Sequence, residues 1–119
     1  MFKDVLREVV ERTEGGIASL LMGFDGIPVE NYVKSGVKLD VESIGMEFSV
    51  ILTQIAKAAQ MLEAGDAREV SIQAENLTTL IRLLNKEYFV AVTLAPHGNF
   101  GKARFLLRTL TPKLVDELV

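Results

Sequence analysis

The run Ile17-Ala18-Ser19-Leu20-Leu21-Met22-Gly23-Phe24-Asp25-Gly26-Ile27-Pro28-Val29-Glu30-Asn31-Tyr32-Val33 sets an almost unbroken apolar segment against a returning one, with an Asp-Gly pair between them. An Asp-Gly pair favours positive φ at the tip of a reversal, so the run predicts a tight β-hairpin. Side chains of a strand alternate between the two faces of a sheet, so a strand that is apolar at successive positions is covered on both faces. Ile17 to Phe24 therefore reads as a central strand. Pro28 has no N–H to give to a ladder, which puts the returning strand at an edge or in irregular pairing.

Upstream, Phe2, Val5, Leu6, Val9 and Val10 recur at helical spacing among Lys3, Asp4, Arg7, Glu8 and Glu11, predicting an amphipathic helix that stops at Gly15-Gly16. Downstream, Ser35-Gly36 and Lys38 form a link to a long helix with Asp40 as N-cap, Glu42 in its first turn and Gly65 as its stop. This helix carries the stripe Val41, Ile44, Phe48, Ile51, Ile55, Ala58 and Leu62. A second apolar set, Met46, Val50 and Met61, lies beside it, with Gly45, Ser49, Ala56 and Ala59 as small residues nearby. A helix that covers one sheet needs an apolar stripe only about 100° wide. The surplus has two readings, a helix sunk deep in one core or helix-on-helix packing with a second copy.

From Arg68 to Asn76 the pattern alternates strictly, Val70, Ile72 and Ala74 one way and Glu69, Ser71, Gln73 and Glu75 the other, as in a strand with one wet face. Thr79 to Leu84, the turn Asn85-Lys86-Glu87, and Tyr88 to Leu94 form a second hairpin. After the loop Pro96-His97-Gly98-Asn99, a last helix turns Ala103, Leu106, Leu107, Leu110 and Leu114 inward, with Pro112 marking a kink or restart. The order is helix, two strands, helix, three strands, helix. It predicts an α+β fold in one domain, 1–119: a five-stranded antiparallel sheet sandwiched between the long middle helix and the two terminal helices.

Composition narrows function by exclusion. The 119 residues fit one core, and 49% hydrophobic with 24% charged residues is ordinary for a folded domain. With 13 basic against 16 acidic residues the net charge is −3, which leaves no footprint for nucleic acid. The absence of cysteine removes disulfides, thiolate nucleophiles and thiolate metal sites. Early acidic residues argue against a signal peptide, and the apolar runs fall short of the ~18 to 20 residues of a membrane span. The expected location is the cytoplasm.

Gly101-Lys102 resembles the tail of a phosphate-binding loop, yet Pro96 stands where that motif needs Gly, and Ala103 where it needs Ser or Thr. No dinucleotide fingerprint occurs. His97 is the only histidine, so neither a His-based triad nor a multi-His metal site is available, and its Pro and Gly neighbours make it a loop residue. Asp25, Asp40, Glu42 and Glu47 read as turn, cap, first-turn and solvent-face carboxylates. Gly98-Asn99-Phe100-Gly101 reads as a tight strand-to-helix connection, and Arg104 with Arg108 as an exposed basic pair on a solvated face. No catalytic residue, cofactor, metal or small-molecule substrate is expected, and the chain is not expected to be an enzyme.

Ser19 to Glu30, the long middle helix, and Gly98-Asn99-Phe100-Gly101-Lys102-Ala103-Arg104-Phe105 together resemble the Roadblock/dynein light chain family, and within it the bacterial MglB-type regulators of the Ras-like GTPase MglA. The resemblance implies a homodimer in which the middle helices lie antiparallel and the third strands pair edge to edge. Its interface would draw on Val41, Ile44, Phe48, Ile51, Ile55, Val70, Ser71, Ile72 and Gln73. It implies a small Ras-like GTPase as partner, bound on the paired middle helices, with hydrolysis stimulated by repositioning the GTPase's own catalytic groups and no arginine finger supplied. On the helical pattern the partner would touch Met46, Glu47, Val50, Thr53, Gln54 and Lys57. Some MglB-type proteins continue into a C-terminal tail, and an activity that needs one is not expected here. The alternative is a scaffold or adaptor of the same fold, in a motor, polarity or signalling complex, that leaves hydrolysis unchanged.

Overall fold

β1 (Gly16–Gly23) has neighbours on both sides, pairing antiparallel with β2 (Pro28–Val33) and with β5 (Tyr88–Leu94). A computed structural model describes residues 1–118. The remaining elements are α1 (Phe2–Arg12), α2 (Val41–Met61), β3 (Glu69–Gln73), β4 (Thr78–Leu83) and α3 (Phe100–Glu117). The sheet order is β2-β1-β5-β4-β3, so β1 is central and the Pro28 strand is an edge, as the apolar run and the proline require. The hairpin closes through Gly26 N–H to the Gly23 carbonyl at 3.0 Å, with Gly26 at φ +84°, where a Cβ would be strained. The register skips Val29, since Leu21 faces Glu30 and Met22 faces Pro28.

Strand alternation divides the interior into two cores. Leu21, Leu80, Val90, Val92 and Leu94 meet Leu6, Val9 and Val10 of α1 and Ala103, Leu106, Leu107, Leu110 and Leu114 of α3. Ser19 Oγ donates to the Leu6 carbonyl at 2.9 Å and ties α1 to β1. On the other face Leu20, Met22, Ile81, Phe89 and Ala91 meet Leu52 of α2, and Phe24 tilts against Phe89 at 5.5 Å between ring centroids. Middle helix on one face and terminal helices on the other is the expected layering. No described helix is long and apolar enough to cross a membrane.

Several boundaries differ from the sequence expectation. α1 ends at Arg12, because Thr13 is already extended and Gly16 is needed in β1. α2 ends at Met61, not at Gly65: Ala64 N–H bonds the Ala59 carbonyl and Glu63 N–H the Gln60 carbonyl, a Schellman closure in which Glu63, at φ 56°, takes the left-handed position glycine usually fills. β3 covers only Glu69–Gln73, and Ala74 turns back through a hydrogen bond to the Leu77 carbonyl, exposed instead of inward. α3 runs through Pro112 without restarting, with Leu110, Thr111 and Leu114 buried around it.

Candidate docking surface on the middle helix

α2 starts where the Asp40 carboxylate accepts from Ser43 N–H at 3.2 Å and Ser43 Oγ at 2.7 Å. These two bonds hold the Asp40 carboxyl below its ordinary value. The residues that α2 buries are Val41, Gly45, Ser49 and Leu52. Sequence periodicity missed this line, because half of it is small and Leu52 belongs to no stripe. Gly45 lets the helix approach the sheet closely: a Cβ there would overlap Leu20 Cδ2 and stand 2.9 Å from Met22 Cε, so those side-chain ends would have to shift. Ser49 and Thr53 turn their hydroxyls back onto the Met46 and Ser49 carbonyls at 2.6 and 2.9 Å, so the polar groups on this side are satisfied within the helix.

A helix seated on small residues lies close to the sheet and leaves its larger apolar side chains on the flanks. One flank carries Ile44, Phe48, Ile51 and Ile55, with Ile51 48% exposed, and Phe48 packs toward the same core as Val70 and Ile72 of β3. Among the described residues β3 has β4 as its only neighbour, and Ser71 and Gln73 on it are exposed. The expected interface residues thus fall on one helix flank and the adjoining sheet edge. Val41 is the exception, buried in the protomer's own core at 8% exposure, where it leaves almost no surface for a second copy.

The outward side of α2 brings together the expected partner residues. Met46 and Val50 are 54% and 63% exposed, and Glu47, Gln54 and Lys57 are exposed with them. Thr53 is half-buried at the margin of this band.

The other singled-out groups have structural work. Asp25 Oδ1 accepts from Ile27 N–H at 3.0 Å, and Glu42 accepts from Asn31 Nδ2 at 2.9 Å. Asn99 caps α3 by accepting from Lys102 N–H at 3.0 Å, the tight connection expected of Gly98 to Gly101. His97 lies exposed in its loop. Arg104 departs from expectation: it is no free surface cation but pairs with Glu69 across to β3, Nη2 to Oε2 at 2.8 Å, and stacks on Phe100 at 4.7 Å. The partner lies 35 residues away, beyond the reach of any local pattern.

A five-stranded antiparallel sheet with one long helix on one face, two on the other, a free third-strand edge and an apolar helix flank beside it defines a Roadblock domain. The chain is 39% identical to MglC from Myxococcus xanthus over 98% of both chains, with a TM-score of 0.71, and it belongs to the Roadblock family. It also shares its fold with MglB from Myxococcus xanthus (9% identity, 97% of this chain and 92% of that one, TM-score 0.85). The gliding protein MglB from Thermus thermophilus is similar in the same way (13%, 92% and 82%, TM-score 0.82). No protein-family model and no curated protein matches the sequence.

Proposed function

We propose that this chain is a homodimeric, non-enzymatic adaptor in a small Ras-like GTPase system of the MglA type, presenting the outward faces of two antiparallel α2 helices to its partner. One observation carries the reading: identity of 39% to MglC runs over the whole chain, whereas identity to MglB is 9 to 13%. Stimulation of hydrolysis was expected from likeness to MglB, and with MglB only the fold is shared. An adaptor needs a docking band and a fixed dimer geometry; the exposed band on α2 and the free edge of β3 support that reading. Apolar Met46 and Val50 at the centre of the band, ringed by Glu47, Gln54 and Lys57, have the apolar-core, polar-rim layout of a protein interface.

The dimer follows from the same surfaces. Pairing β3 to β3 satisfies the free edge that an isolated protein must otherwise blunt, and packing α2 on α2 covers Ile51 and its neighbours. The test is a single-turnover GTP hydrolysis assay on an MglA-type GTPase, run beside a binding measurement. Binding with an unchanged rate supports the adaptor. Acceleration assigns stimulation of the GTPase instead, the reading that the resemblance to MglB implied. Absence of binding to the GTPase, alone or with an MglB-type protein present, refutes both.

A further inference from the structure

The last turns of α2, the segment at 66–68, the end of β4 and the β4–β5 turn enclose a cavity of about 950 Å³. Its walls are mainly apolar, with Phe24, Met61 and Leu83 contributing, and it is open to solvent. Three cations line it, Lys57, Arg68 and Lys86, and among the described residues none of them forms an ion pair; Arg82 also borders it, but strand alternation puts its side chain with Leu80 on the α3 face. The single carboxylate in the lining, Asp66, already accepts from Gln60 Nε2 at 2.8 Å. Three of the 13 basic residues of a chain with net charge −3 thus gather on one concave surface. Such a focus raises the local concentration of anions against the field of the molecule as a whole.

The cavity stands apart from the proposed dimer seam. Gln60 is five residues beyond Ile55, which is about 140° round the helix at 100° per residue, so the lining side of α2 turns away from the Ile51–Ile55 flank.

We propose that this cavity docks an acidic segment of a partner protein, anchored by apolar side chains, as a site that adjoins the adaptor band of α2 and shares Thr53 and Lys57 with it. The apolar walls take the anchor. The cations come from three separate segments, α2, 66–68 and the β4–β5 turn, which suits carboxylates spaced along a chain better than the single point charge of a phosphate.

The test uses the full chain and a short fluorescein-labelled peptide of glutamates interrupted by leucines, read by fluorescence anisotropy. Saturable binding that weakens as salt is raised is expected. Joint charge reversal, Arg68→Glu with Lys86→Glu, weakens it about tenfold or more, whereas Lys3→Glu on α1 leaves it unchanged. Lys86→Glu alone, in an exposed turn, gives a smaller loss and guards against misfolding of the double variant. Replacing the leucines of the peptide by serine weakens binding as well. Equal binding of the serine peptide, or unchanged binding to the charge-reversed protein, overturns the proposal. Arg68 and Lys86 lie outside the outward band of α2, so GTPase-system binding by the same variant reports separately on the adaptor reading.

Discussion

Ile51→Asp separates the proposed dimer from the fold, because Ile51 is 48% exposed in the single chain. Fully burying an isoleucine gains about 1.5 to 3 kcal/mol, and roughly half of that surface is left for a second copy to cover, so each Ile51 contributes about 1 kcal/mol to association. A two-fold axis doubles every seam contact. Ile51→Ala should therefore weaken the dimer by about 2 kcal/mol, about thirtyfold in Kd. Aspartate adds an unpaired charge that must be desolvated or protonated. At about 3 kcal/mol per copy the total is about 6 kcal/mol, more than four decades in Kd. Sedimentation velocity across micromolar concentrations should show wild-type dimer, weakened Ile51→Ala and monomeric Ile51→Asp, with the far-UV circular dichroism of the aspartate variant close to that of wild type and its unfolding still cooperative. A wild-type monomer refutes the reasoning. So does an intact Ile51→Asp dimer, or a variant that unfolds, since a half-exposed position tolerates aspartate in the protomer.

Other outcomes follow from single contacts. Gly45→Val should cost about 2 to 3 kcal/mol in urea unfolding, since its branched side chain must displace Leu20 and Met22 in a close-packed core, against a smaller gain in helix propensity. Glu63→Gly should stabilise the chain by about 0.5 to 1 kcal/mol, by relieving a left-handed residue at the end of α2; an unchanged urea midpoint would contradict the Schellman assignment. Asp40 is held below its ordinary pKa by Ser43, so its share of stability is fully present above that ordinary value and is lost as pH falls through the lower folded value. Asp40→Asn should accordingly flatten the loss of stability in the acid range, seen as a smaller difference between urea midpoints at neutral and strongly acid pH.

What the sequence made legible was set by periodicity. The run from Ile17 to Phe24 announced a doubly covered strand, Pro28 an edge, and alternation at Glu69 to Gln73 a half-wet strand, because each rests on geometry local to a few residues. Less legible was anything that depended on which face of α2 meets the sheet. Its apolar residues circle most of the helix, so hydrophobicity alone does not choose a contact line, and the one used, Val41, Gly45, Ser49 and Leu52, contains a glycine and a serine. A glycine inside a long helix costs about 1 kcal/mol relative to alanine, so Gly45 was the available signal of a close approach. The Arg104–Glu69 pair and the cationic cavity were out of reach, since both join segments far apart in the chain.

That contact line explains why α2 serves more than one surface. Had large side chains faced the sheet, they would have lifted the helix away from it and filled the space beneath, and the flanks would have been free to be polar. With Gly45 and Ser49 underneath, the large apolar residues have only the flanks and the outer band to occupy: Ile44, Phe48, Ile51 and Ile55 on one flank, and Met46 and Val50 facing out. Such exposure in a lone protomer is a liability that a second copy and a partner would remove together. Gly45→Val therefore tests more than packing. By pushing α2 off the sheet it should change the spacing of the two helices across the proposed seam, so association should weaken by more than the loss of Gly45's own contacts accounts for. If Gly45→Val lowers stability while leaving dimer Kd unchanged, the seating of α2 and the construction of the seam are independent, and the link argued between them fails.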